Sequence, residues 1–298
     1  MYKIQVLMST YNGGKFIMEQ IESILNQKKV DVNLLIRDDG STDDTIEIIE
    51  SYCRKNPNVS YYCGNNIKPA KSFMDLINNS DDNYDYYALS DQDDFWMNDK
   101  LYNALEMINQ KDNNLPSFYF SNLIIVDESL NLLSKSNINF DISFESSLIK
   151  NPATGCTIVF DKKFKKEIKK VQPENIIMHD WWLYCYANSI DCSICYDKNS
   201  YIKYRQHSNN VLGYEKGIKK WKLRLNRFFH LNNLRLKQCQ EIKKIPNLSK
   251  DKKDILDLIC NYQKKIKYKI KIIFSKKYKT NSFISDLLFK INILFNKF

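Results

Sequence analysis

This sequence predicts an α/β fold: a mostly parallel sheet flanked by helices on both faces, followed by a helical C-terminal extension. Three observations carry that expectation. Strand-like and helix-like stretches alternate through the first ninety residues, the pattern that builds a parallel sheet through right-handed crossovers. Polar or acidic turns follow the first, second and fourth of those strands, which gathers them at the C-terminal edge where open α/β sheets bind ligands. Charge is segregated: residues 215–298 carry 23 Lys/Arg against 6 Asp/Glu, whereas residues 1–214 carry 22 against 29. A composition of 43% apolar and 27% charged residues is ordinary for a folded chain, so disorder is not the default.

The elements follow in order. Lys3–Met8 is a short apolar, β-branched run closed by the turn Ser9-Thr10-Tyr11-Asn12-Gly13-Gly14. Phe16, Ile17, Gln20, Ile21, Ile24 and Leu25 then recur at helical spacing. Val32–Ile36 is a second strand, ended by Arg37-Asp38-Asp39-Gly40-Ser41. A helix is expected from about Thr42, with Asp43 and Asp44 at its positive end. Val59–Cys63 and Tyr84–Leu89 supply two more strands, with a helix at Ser72–Asn79 between them. Leu89-Ser90-Asp91-Gln92-Asp93-Asp94-Phe95-Trp96 follows, with three carboxylates in four residues at a strand end. Acids one residue apart on extended chain point the same way and can share a divalent cation.

Further on, Lys100–Asn109 reads as a helix, Ser117–Val126 as a strand and 127–150 as an irregular excursion. Ala153–Phe160 reads as a strand, His179–Asn188 as a helix and Ser193–Lys203 as a last strand. Past Gly213 the composition turns to Lys, Leu, Ile, Asn and Phe at helical spacing, so a domain boundary is expected at about 214: an α/β domain over 1–214 and a basic helical extension over 215–298. In Ser282–Phe298, the residues Phe283, Ile284, Leu287, Leu288, Ile291, Leu294, Phe295 and Phe298 form one apolar stripe. That stripe suits either an amphipathic helix in an anionic membrane interface or a helix folded back on the body. No nucleic-acid motif accompanies the basic residues, so nucleic acid is not an expected partner.

Several classes are disfavoured. No G-x-G-x-x-G follows the first strand and no G-x-x-x-x-G-K-[ST] occurs, which argues against a dinucleotide dehydrogenase and a P-loop NTPase. The eight cysteines lack paired metal spacing; Cys192-Ser193-Ile194-Cys195 stands alone and reads as buried reduced thiol in a cytosolic protein. Neither a signal peptide nor a run of about 18 apolar residues is present, so any membrane contact is expected to be peripheral, on the inner face of the plasma membrane.

Taken together, Ser9-Thr10-Tyr11-Asn12-Gly13, Arg37-Asp38-Asp39-Gly40-Ser41-Thr42-Asp43 and Leu89 to Trp96 resemble glycosyltransferase family 2, whose members have the GT-A fold. Thr154-Gly155-Cys156, His179-Asp180-Trp181-Trp182 and Tyr204-Arg205-Gln206-His207-Ser208-Asn209-Asn210 extend the likeness to a bacterial rhamnosyltransferase-like subgroup that builds surface polysaccharides. The resemblance implies that Thr10, Tyr11, Asn12, Asp38, Asp39 and Lys71 line a nucleotide-sugar site, with Asp91 on the ribose side. It implies Asp93 and His207 as metal ligands for Mn²⁺ or Mg²⁺, Asp180 as general base, and Trp181 and Trp182 at the acceptor, one of them packing inward. The expected donor is a nucleoside-diphosphate sugar, dTDP-rhamnose first and a UDP-hexose second, and the expected acceptor a growing lipid-linked glycan. Many relatives have an acidic pair where this chain has His179-Asp180. The alternatives are a sugar-nucleotide pyrophosphorylase, which wants a basic triphosphate loop that Ser9 to Gly14 lacks, and a nucleotide- or membrane-binding module without turnover.

Overall fold

In the computed structural model, which describes residues 1–112, 114–207 and 233–298, the first strand runs through the middle of a nine-stranded sheet. β1 (Tyr2–Thr10) is buried from Ile4 to Met8 on both faces, as a central parallel strand must be. It pairs in parallel with β2 (Val30–Asp38) on one side and β4 (Tyr86–Ser90) on the other; β3 (Val59–Cys63) extends the parallel set beyond β2. The sheet order is β3-β2-β1-β4-β8-β6-β9-β5, with β7 (Leu132–Lys135) beside β6 (Ser117–Val126). The parallel arrangement ends at β8 (Val159–Asp161), which runs antiparallel to both β4 and β6. β9 (Ser193–Arg205) is again parallel to β6, and the two-residue β5 (Phe95–Trp96) pairs antiparallel with β9.

Helices α1 (Ile17–Leu25), α2 (Thr45–Lys55), α3 (Lys68–Asn79) and α4 (Lys100–Asn109) are the crossovers. α1 buries Ile17, Gln20, Ile21 and Ile24, the face its periodicity specifies. α2 starts three residues later than expected, because Thr42 N donates to Asn12 Oδ1 and the Asp43 carboxylate takes Thr45 N. α3 starts four residues earlier than expected: Pro69 suits a first helical turn, and Asp39 accepts from the Ile67 and Lys68 N–H groups. The strand expected over Ala153–Phe160 is corrected. Gly155–Thr157 is a 3₁₀ turn, in which Thr157 N and Oγ1 both return to the Thr154 carbonyl, and the strand follows it.

The chain divides into two compact units. The first holds the sheet: Met1–Asn137, Ala153–Lys169 and the chain from Cys192 through β9. The second gathers Ile138–Pro152, Lys170–Asp191 and, of the described residues, the chain from 233 onward, so a cut at 214 is not how the contacts divide it. The reason is burial. α7 (His179–Ser189) is buried along nearly its whole length and packs against α5 (Phe144–Ser147) and α8 (Leu234–Ile242), while α9 (Lys250–Cys260), α10 (Ile266–Phe274) and α11 (Phe283–Leu294) complete the unit. α6 (Lys162–Ile168) stays with the sheet. Among the described residues no helix is long and apolar enough to cross a membrane.

Candidate active site

Strand register assembles one edge of the first unit. Thr10 lies opposite Asp38, and Met8 opposite Ser90, so the turns after β1, β2 and β4 meet beyond the same ends. Gln92 ties two of them together. Its Oε1 accepts from Thr10 Oγ1 at 2.6 Å and from Tyr11 N at 2.8 Å, and its Nε2 donates to the Tyr11 carbonyl at 3.1 Å. Tyr11 projects into solvent, where its ring is available to stack on a planar group. Asn12 adopts a left-handed backbone, φ +48°, its N–H donating to Ser41 Oγ and its Oδ1 accepting from Thr42 N. Asparagine tolerates that region better than most residues.

Asp38 and Asp39 are both buried and both engaged. Asp38 accepts from Gly40 N, Ser41 N and Ser41 Oγ at 3.0, 2.8 and 2.5 Å. Asp39 accepts from Arg37, Ile67 N and Lys68 N. A carboxylate offers about four acceptor positions, so these partners leave neither one saturated. Burial would pull the Arg37 guanidinium down, but hydrogen bonds and charge from Asp39 and Asp75 outweigh it and hold it above its ordinary value. Lys71 is exposed on the first turns of α3, the helix whose start Asp39 caps.

The acidic element divides by environment. Asp91 and Asp93 are partly exposed, while Asp94 is fully buried. Asp94 Oδ1 accepts from the Arg205 backbone N–H at 3.2 Å. Burial first, then the charges of Asp93 and Asp91, push the Asp94 carboxyl well up, and burial with Asp94 does the same to the Cys156 thiol. Asp91, Asp94 and Cys156 place donor atoms within 4.8 Å of one another; Asp94 and Cys156 are fully buried, and Asp91 is the partly exposed member of the group.

His207 Nε2 lies 2.8 Å from Asp93 Oδ2. Adjacent ligands of an octahedral divalent ion are about 3 Å apart at ligand distances near 2.1 Å, so these two donors fit one shared cation. Arg205 fixes both. Its Nε donates to the Asp93 carbonyl at 2.9 Å, and its guanidinium also bonds Glu128 O and the Glu19 carboxylate. Phe16 packs on the imidazole, ring centroids 5.0 Å apart, and under the Arg205 guanidinium at 4.6 Å.

Of the expected site residues, the first unit brings Thr10, Tyr11, Asn12, Asp38, Asp39, Asp91, Asp93 and His207 to this edge, whereas Asp180, Trp181 and Trp182 belong to the second. Ser208, Asn209 and Asn210 lie outside the described residues. Asp180 stands in the first turn of α7, its Oδ1 accepting from Trp181 N at 2.6 Å. Trp182 is completely buried and packs edge-on against Tyr186, which leaves it no face for an acceptor. Trp181 keeps a small exposed edge, and its indole N–H donates to the Ser147 carbonyl at 2.7 Å. His179 is buried, and burial pulls its imidazole down to about 3. Two contributors went unread in the sequence. Gln92 is the unspecified middle of the acidic element, and Arg205 sits within a quoted motif without any charge partner nearby in sequence.

Residues 5–168 match the family model described as Glycosyl transferase family 2. Over 225 residues the chain is 38% identical to the dTDP-rhamnosyl transferase RfbG of Shigella flexneri, which covers 69% of this chain and 73% of that one. Among solved structures, S. aureus TarS in complex with UDP-GlcNAc aligns with a TM-score of 0.62 at 16% identity, over 98% of this chain and 79% of that one. The mannosyltransferase PcManGT from Pyrobaculum calidifontis, in complex with GDP-Man and Mn²⁺, aligns with a TM-score of 0.57 at 14% identity, over 99% and 80%. At such identities the likeness is one of fold, and the fold is GT-A.

Proposed function

The chain belongs to glycosyl transferase family 2, and on that premise we propose that it moves rhamnose from dTDP-rhamnose, with inversion, onto a growing lipid-linked surface glycan at an anionic membrane surface. The observation that carries the site assignment is the Asp93–His207 pair at 2.8 Å on the sheet edge that also holds Thr10, Tyr11, Asp38 and Asp39. The 38% identity to a dTDP-rhamnosyl transferase supports the choice of donor.

Each residue then has a task that its chemistry permits. Tyr11 stacks on the base, while the remaining acceptor positions of Asp38 and Asp39 receive base N–H and ribose hydroxyl donors. Asp91 faces the ribose, and Lys71 lends positive charge near the base or diphosphate. A divalent cation, Mn²⁺ or Mg²⁺, held by Asp93 and His207 would neutralise the charge that builds on the departing diphosphate. Asp180 accepts the proton of the acceptor hydroxyl, whose own pKa lies far above neutral, as the new glycosidic bond forms. One base and an in-line attack give a single displacement, so the anomeric configuration inverts and no carboxylate nucleophile is required. The exposed edge of Trp181 is the aromatic contact left for the acceptor.

A thermal-shift panel of dTDP, UDP and their sugars with Mn²⁺ tests the donor. Stabilisation by dTDP over UDP is expected, and stabilisation by UDP alone would replace rhamnose with a UDP-linked hexose. Asp180→Asn tests the base: donor binding should persist while transfer drops at least about 100-fold. Transfer near the wild-type rate would take Asp180 out of that role.

A further inference from the structure

We propose that α10 and α11 present a two-helix docking face for an anionic lipid bilayer, with Phe274, Phe283 and Phe295 entering the headgroup region. This deepens the functional reading above by naming the surface that holds the enzyme at its lipid-linked acceptor.

A surface helix ordinarily buries one apolar stripe and turns polar residues outward. α11 does bury a stripe: Phe289, Asn292 and Ile293 are covered, with the Phe289 ring 5.4 Å from Tyr278 and 5.1 Å from Phe298. Its other side is apolar as well. Phe283 is 81% exposed, Phe295 just beyond the helix 64%, and Leu287 and Leu294 are exposed between them. α10 adds Ile266, Ile270 and Phe274, four residues apart and so on one face, with Phe274 80% exposed. The sole ionisable residues within α11 are Asp286 and Lys290. Asp286 Oδ1 accepts from Thr280 N and Oγ1, which places its charge at the helix N-terminus.

The occupant follows from the charges around these residues. Residues 264–298 contain ten lysines and a single acid, Asp286. Lys269 donates to the Leu294 carbonyl at 3.2 Å, which sets an ammonium beside Leu294 and Phe295. Lys267 and Lys271 each follow an exposed isoleucine by one residue. Aromatic and aliphatic side chains bordered by an excess of lysines match the interface of an anionic bilayer, where acyl chains receive the former and headgroups the latter. A nucleic acid would meet the lysines but not the exposed phenylalanines. Helices of 9 and 12 residues are too short to span a bilayer, so they lie on it. The single stripe read from the sequence is thereby corrected. Phe298 is buried, α10 exposes apolar residues of its own, and α11 both folds back on its own unit and shows an apolar side outward.

Flotation of the full chain with vesicles tests this. Binding to phosphatidylglycerol–phosphatidylcholine vesicles should exceed binding to pure phosphatidylcholine by at least about tenfold and weaken at about 0.5 M salt. The variant Phe274→Ser/Phe283→Ser/Phe295→Ser should keep its melting temperature and bind anionic vesicles at least about tenfold less. Equal binding to both lipids, no flotation of the wild type, or undiminished flotation of the triple variant would each overturn the proposal. So would wild-type self-association that the variant abolishes without any vesicle binding, since a second copy would then occupy the face. The wild-type lipid comparison decides the matter even if the variant misfolds. Because vesicle binding needs no donor sugar, its failure would leave the transfer reaction untouched.

Discussion

Gly13→Ala tests the clamp between the β1 and β4 ends. A β-carbon at position 13 would stand 2.3 Å from Gln92 Oε1 and 2.6 Å from Gln92 Cδ, so the Gln92 amide must swing away. It then gives up its bonds to Thr10 Oγ1, Tyr11 N and the Tyr11 carbonyl. Each is worth about 0.5–1.5 kcal/mol net, less where water can replace it, so the three together cost about 2 kcal/mol. At about 2–4 °C per kcal/mol for a chain of this size, the melting temperature should fall by about 6 °C in calorimetry. A loosened Tyr11 turn should also weaken dTDP binding by about tenfold in titration calorimetry. Gln92→Ala removes the same three bonds, so adding Gly13→Ala to it should cost almost nothing further. Additive losses in the double variant would refute this account, because alanine would then be acting on the backbone. An unchanged melting temperature in Gly13→Ala alone would refute it as well.

Other expectations follow from the same geometry. Asp93→Ala should abolish Mn²⁺-dependent donor binding in a thermal-shift assay, and binding that stays metal-responsive would move the metal elsewhere. Arg205→Met leaves the Asp93 and Glu128 carbonyls without their buried donor, costing about 3 kcal/mol in chemical denaturation. It should also reduce metal-stimulated transfer more than metal-free dTDP binding, and equal losses would argue against a positioning role. Burial keeps His179 neutral by lowering its imidazole from 6.5 to about 3, so between those values the unfolded chain binds a proton that the folded one refuses. Stability should therefore be complete above pH 6.5 and fall with acid, by about 2 kcal/mol on reaching about pH 5. His179→Leu should remove that share of the loss in denaturation at about pH 7 and 5; an identical pH slope would exonerate His179.

Much of this site was legible in the linear chain because parallel strands deliver their following turns to one edge whatever the details of packing. Thr10, Asp38 and Asp91 could be grouped before any coordinates, since short apolar, β-branched runs locate strand ends within a residue or two. The failures have equally local causes. The Ala153–Phe160 stretch is as apolar as a strand, but Thr157 hydrogen-bonds back to Thr154 and turns it first. Helix starts moved by three or four residues where side chains from the turns after β1 and β2, Asn12 and Asp39, accepted from N–H groups near those starts.

By itself, then, the sequence determined the strand–helix order, the family to which the chain belongs and the residue types at each strand end, all of which follow from local periodicity and short motifs. Only the tertiary structure decided which of three neighbouring acids is buried and which meets His207. It also decided that Gln92 and Arg205 hold the turns, and which side of α11 is covered. The physical reason is common to all three. Burial, a charge partner more than a hundred residues away and the choice between two apolar helix faces are set by what the rest of the chain packs against, and no local pattern encodes that.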